Sequence, residues 1–147
     1  MKINFTKKQY ENLLKLVYLG EWMANAHRVD DRIEKYDELS SYIFSYAKEF
    51  GFGKYSDGEQ VGDGKYYPTR FFEEETDVHV LHEEYDEETF WDELTERMGQ
   101  RDFYHKYSKE EIKKMDREEY FTKLYECIDK WDEETSKNGL DRLGIVK

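Results

Sequence analysis

Residues Asp30–Gly51 read DDRIEKYDELSSYIFSYAKEFG, and the apolar members Ile33, Tyr36, Leu39, Ile43, Phe44, Ala47 and Phe50 recur at spacings of 3, 3, 4, 1, 3 and 3. That is the 3.6-residue period of an amphipathic helix, not the alternation of a strand. The spacing predicts a helix opening at Asp30 or Asp31. Gly51 stands where a left-handed C-terminal cap suits a residue without Cβ.

The same period governs the chain on both sides. Upstream, Thr6 and Gln9 have the spacing of a capping box. The helix they open carries Tyr10, Leu13, Leu14, Val17 and Trp22, widened by Leu16, Leu19, Met23 and Ala26, and is expected to end between His27 and Asp30. Gly20 and Ala24 lie one turn apart. Glycine in a helix interior costs about 1 kcal/mol against alanine, so the pair is expected to admit a close helix neighbour.

Downstream, five of the nine glycines fall between Gly51 and Gly64, and the only proline, Pro68, closes the stretch. Asp57-Gly58 and Asp63-Gly64 are turn dipeptides, so residues 51–68 read as a long Gly/Tyr-rich loop or a short hairpin. Thr69 caps a turn through Phe71 and Phe72. Asp77 starts a helix with Val78, Leu81 and Tyr85, which leads into Phe90, Trp91, Leu94 and Met98, with Gly99 as its stop. Phe103, Tyr104 and Tyr107 cross back over the core. Ser108 with Glu111, then Asp116 with Glu119, open the last helical stretch, striped by Tyr120, Phe121, Leu124, Cys127, Ile128 and Trp131. Asn138-Gly139 ends it, and Leu140, Leu143, Ile145 and Val146 form an apolar tail expected to dock. The reading is all-α: one domain over residues 1–147, a compact bundle of about five helices with the Gly/Tyr-rich loop between the second and third.

The chain has 147 residues with 39% charged and 17% aromatic side chains. That many aromatics argue against disorder despite the charge. The single cysteine, Cys127, excludes an intramolecular disulfide and a cysteine-based zinc site, and its place on an apolar stripe predicts a buried, inert thiol. No window approaches the roughly 20 apolar residues of a membrane span, and Met1–Thr6 lacks a signal peptide's plan, so a cytoplasmic protein is expected.

The net charge of −12 is concentrated: Glu73 to Asp102 holds 13 acidic residues and two basic ones, a net −11. Such a field repels nucleic acid phosphates and anionic lipids and attracts cations or a basic partner.

Motifs with chemistry are sparse. His79, His82 and Glu83, with Glu75 and Asp77 nearby, are the densest set of metal-ligand types, and mixed nitrogen and oxygen donors suit zinc, iron or manganese. Their spacing is neither His-Glu-x-x-His nor paired Glu-x-x-His. The bland reading is two half-exposed histidines in a negative field. No nucleophile elbow, Walker loop or dinucleotide-binding glycine pattern is present, and Asp57-Gly58-Glu59 with Asp63-Gly64 falls short of a calcium loop. Glu21, charged amid Trp22 and Met23, either lines a pocket with His27 or reaches solvent from the helix end. Tyr55, Tyr66 and Tyr67, beside Phe71 and Phe72, form either an adhesive patch or a lid over the core.

These features lead to three expectations. The first is a non-enzymatic module, needing no cofactor, that binds another protein or a second copy of itself. The second is an acidic DNA mimic whose carboxylates stand in for phosphates. The third is a metal-binding helical protein centred on His79 and His82.

Overall fold

A computed structural model describes residues 3–58, 62 and 64–144. The fold is all-α: among the described residues there is no strand, and the α-helices are α1 (Lys7–Asn25), α2 (Glu34–Ser45), α3 (Arg70–Glu75), α4 (Val78–Lys106), α5 (Lys109–Ile112) and α6 (Arg117–Asn138). The chain packs as two compact units, Met1–Glu83 and Glu84–Lys147.

Local chemistry fixes most helix ends. Thr6 Oγ1 accepts from Gln9 N at 3.2 Å while Gln9 Oε1 accepts from Thr6 N at 2.9 Å, the reciprocal capping box of α1. Ser108 with Glu111 repeats it for α5, and Asp116 Oδ1 accepts from Glu119 N at 2.8 Å to open α6. Gly139 closes α6 at φ +54°. After α2 the chain continues in turns to Gly51, at φ +81°. Gly51 N donates to Lys48 O (3.1 Å) and Phe52 N to Ala47 O (2.7 Å), the paired bonds of a Schellman cap.

Several helix boundaries differ from the sequence reading, among them the end of α1, at Asn25 rather than between His27 and Asp30. α2 begins at Glu34 rather than at Asp30 or Asp31. Asp31 is taken by Arg28 at 2.5 Å, and the Ile33 N–H donates to Asn25 Oδ1, so a side chain from α1 supplies the cap acceptor. Gly99 does not stop a helix; it lies inside the 29 residues of α4. A Cβ there would stand 2.6 Å from Ile128 Cα, so glycine is what lets α4 approach α6.

In the first unit Phe72 is fully buried with Tyr18, Phe44 and Tyr55 around it at ring-centroid distances of 5.5, 5.4 and 5.3 Å. Tyr10 stacks on Phe50 at 3.9 Å and donates to Ile43 O at 2.5 Å, tying α1 to α2. Burial, chiefly, pushes the Tyr10 phenol up to about 12. The Gly/Tyr-rich segment folds onto this core: Ser56 and Pro68 form one antiparallel bridge, flanked by Asp57 N donating to Tyr67 O (3.2 Å) and Thr69 N to Tyr55 O (3.1 Å). Asp63, of the second turn dipeptide, and Glu59 lie outside the described residues.

The second unit is built on Phe103, Leu124 and Cys127, flanked by Tyr107, Ile112, Met115, Tyr120 and Ile128. Cys127 is buried and unbonded to other cysteines. Phe103 and Tyr107 belong to this core from α4 and its C-terminal edge, whereas Tyr104 is 56% exposed. Leu140 is half-exposed, and Ile145 and Val146 lie outside the described residues. No helix of the described residues is long and apolar enough to cross a membrane.

The two helical glycines should respond oppositely to alanine. Nothing lies within 4 Å of a Cβ built on Gly20, so no close helix neighbour explains it. Gly20→Ala should gain up to about 1 kcal/mol from helix propensity. Gly99→Ala forces α4 and α6 apart and should lose about 1–3 kcal/mol. Urea unfolding followed by circular dichroism reads both; changes of the same sign would contradict this packing.

Candidate functional site

α1 and α2 are joined by a polar knot and part around an apolar groove, both within the first unit. The knot centres on Asn25, the last residue of α1, whose side chain is fully buried. Its Oδ1 accepts from Ile33 N at 2.8 Å, and its Nδ2 donates to Asp37 Oδ1 at 3.0 Å, Glu21 Oε1 at 3.2 Å and Ile33 O at 3.4 Å. A buried amide so placed leaves neither of its ends unsatisfied. Arg32 closes the knot from outside, its Nη2 lying 2.7 Å from both Glu21 Oε1 and Asp37 Oδ1.

The two carboxyls are pushed in opposite directions. Burial raises the Glu21 pKa, helped by its hydrogen bond with Asp37, against the opposing pull of Asn25 and Arg32. The hydrogen bond from Arg32 lowers that of Asp37, against desolvation. Two carboxyls separated in this way are a pattern found at acid–base sites. Here Arg32 and Asn25 already occupy both carboxyls, so their chemistry goes into fixing the α1–α2 junction.

Glu21 borders a cavity on each side. One, of about 430 Å³, is lined by Val17, Gly20, Met23, Ala24, Tyr36 and Leu39, with Glu21 the only charged residue among the described residues that line it. Met23, Tyr36 and Leu39 are 56%, 41% and 52% exposed, so this is an open apolar groove. The other, of about 300 Å³, is polar and takes in Tyr18, Arg32, Asp37 and Ser41. Tyr18 donates to Glu73 Oε1 at 2.8 Å, and burial with that bond raises its phenol above the ordinary tyrosine range. Glu21, expected above all as a carboxylate reaching solvent from the helix end, instead borders both cavities, and His27, which is exposed, lines neither.

The other residues singled out in the sequence are dispersed. His79 Nε2 lies 3.8 Å from Glu73 Oε2, the His82 ring sits 3.6 Å from that of Trp22, and Glu83 is exposed. Asp77, on the turn before α4, is paired with Lys15 at 2.7 Å. Among the described residues no group of three or more His, Cys, Asp or Glu side chains is placed to hold a metal ion. The aromatic set is split as well: Phe72 is in the core, Tyr55 and Tyr66 pack half-buried against it, and Tyr67 and Phe71 are 39% and 41% exposed. Lid describes Tyr55 and Tyr66; one adhesive patch of five does not describe the set.

The acidic block does not form a single row. In the helical stretch after Glu83, Glu84, Asp86, Glu87, Glu88, Asp92, Glu93 and Glu96 step round the axis at about 100° per residue and reach every face.

Sequence reasoning missed the knot. Arg32 and Asp37 stand five residues apart, outside helical pairing distances, and an asparagine after Ala24 carries no signal until Ile33 is seen beside it. Compared with protein families, curated proteins and solved structures, the chain matches none.

The opposite shifts predict opposite responses at the knot. A raised carboxyl makes the ionised form unfavourable in the folded state, so Glu21→Gln should stabilise the protein at pH 7. That gain fades as pH falls through the raised folded value and is gone below the ordinary glutamate value of 4.5, where the wild-type carboxyl is protonated folded or unfolded. Asp37, held low, stabilises the fold above the ordinary aspartate value of 3.8, and this contribution is lost as pH falls through its lower folded value. Asp37→Asn should therefore destabilise at pH 7, the difference closing only in stronger acid. Thermal unfolding of both variants from pH 3 to 7 reads the two curves; matching curves would refute the assignment.

Proposed function

We propose that this chain is a non-catalytic module that binds another protein, and that the α1–α2 groove receives an amphipathic helix with a basic flank. The observation that carries the reading is the groove itself: apolar walls, half-exposed Met23, Tyr36 and Leu39, and open space above Gly20. A helix lays its apolar face into such a groove through side chains one turn apart. The net charge of −12 favours a cationic partner. The same charge disfavours a second copy, because each copy brings −12 to the encounter.

The absence of catalytic motifs in the sequence and the saturated bonding of the Glu21–Arg32–Asp37 knot support a binding role over an enzymatic one. The spread of carboxylates round α4 supports protein binding over imitation of DNA, which needs phosphate-like rows. A lone, buried thiol suits a reducing compartment such as the cytoplasm.

Isothermal titration with a synthetic leucine–lysine amphipathic peptide tests the proposal. Saturable binding that weakens with salt is expected, and Gly20→Leu, which fills the groove from an otherwise open helix face, should reduce affinity about tenfold or more. Equal affinity for Gly20→Leu and wild type would remove the groove as the site. Sedimentation showing a tight dimer would turn the reading toward self-association.

A further inference from the structure

Tyr42 and Tyr46 meet both by hydroxyl and by ring. Tyr46 Oη donates to Tyr42 Oη at 3.1 Å, and the ring centres stand 5.2 Å apart with their planes inclined at 78°. They lie four residues apart at the C-terminal end of α2, so the helix itself sets them on one face. Tyr42 is 58% exposed, whereas Tyr46 packs half-buried against the first core. One phenol is open to reagents in solution and its neighbour is held beside it.

Two phenols so placed have a chemistry that neither has alone. A phenol that gives one electron to an oxidant and its proton to water becomes a phenoxyl radical, with the unpaired electron shared by the ring carbons flanking the oxygen. Two such radicals couple at those carbons. Here the oxygens lie closer together than the ring centres, so the rings converge at their hydroxyl ends, where the flanking carbons are. A steep inclination suits the product as well, because the rings of a biphenol are twisted about the new bond. We propose that Tyr42 and Tyr46 form an oxidation site, which a peroxidase or other one-electron oxidant converts to an intrahelical dityrosine.

The step balances. Each phenol loses one electron and one proton, a bond forms between one flanking carbon of each ring, and the protons displaced from those carbons return to the oxygens. The net loss of two electrons and two protons reduces one hydrogen peroxide to two waters. Holding the second phenol within reach favours coupling inside the chain over collision between chains, which a charge of −12 on each also opposes. The Tyr104 and Tyr120 hydroxyls also meet, at 3.3 Å, but without a ring contact between the two, so that pair is the internal comparison.

The site is independent of the α1–α2 groove and its test needs no protein partner. The full chain, diluted and treated with a haem peroxidase and hydrogen peroxide, is expected to give a monomer lighter by two hydrogens. Tyr42 and Tyr46 share the tryptic peptide Tyr36–Lys48, and its fragmentation should release no separate pieces from cleavages between them. Tyr42→Phe and Tyr46→Phe should each lower the yield about tenfold or more, and Tyr104→Phe should leave it unchanged. A monomeric product that maps to other tyrosines, or that survives either phenylalanine substitution in α2, would overturn the proposal. So would dityrosine confined to crosslinked dimers. Mapping on the wild-type chain decides the matter even if a variant fails to fold.

Discussion

One buried amide determines how the first unit is assembled. Asn25 ends α1 in a position sealed from solvent, where its oxygen takes the Ile33 N–H and its nitrogen reaches Asp37 and Glu21. A polar group in such a place is tolerated only when its bonds are made. Those bonds set where α2 starts and in which direction it leaves. They also hold Glu21 at the wall between the apolar groove and its polar neighbour. Arg32 then balances two carboxylates that would otherwise repel each other, from a position open to solvent where its own burial cost is small.

The first core depends on aromatic rings more than on branched aliphatics, and this shapes what remains available at the surface. Phe72 brings α3 and the Gly/Tyr-rich segment onto α1 and α2 through edge contacts with Phe44 and Tyr55. With those tyrosines used as cover, Met23, Tyr36 and Leu39 of α1 and α2 are left as exposed apolar side chains lining a groove.

Features encoded within a few residues were legible in the sequence. Thr6 with Gln9, Ser108 with Glu111, and Gly51 each declare a helix end because cap and partner are three or four positions apart. Glu21 announced itself as a charge among apolar neighbours. Features that need a neighbour from elsewhere were not legible. A glycine inside a helical pattern reads alike as a stop, a close crossing or an open face; Gly99 is the second and Gly20 the third, and only Ile128 distinguishes them. Asp31 has a cap's chemistry, but Arg28 claims it and Asn25 does the capping. Likewise, His79 and His82 look paired along the chain, while Glu73 and Trp22 draw them to different partners.

The stability of Asn25→Leu, measured by urea unfolding against wild type, tests the central role of the amide most directly. Leucine keeps asparagine's branching and heavy-atom count but strands the Ile33 N–H and the inner faces of Glu21 and Asp37, so a loss of about 2–4 kcal/mol is expected. A variant as stable as wild type, or more so, would show that apolar packing alone joins α1 to α2 and that the polar knot is incidental.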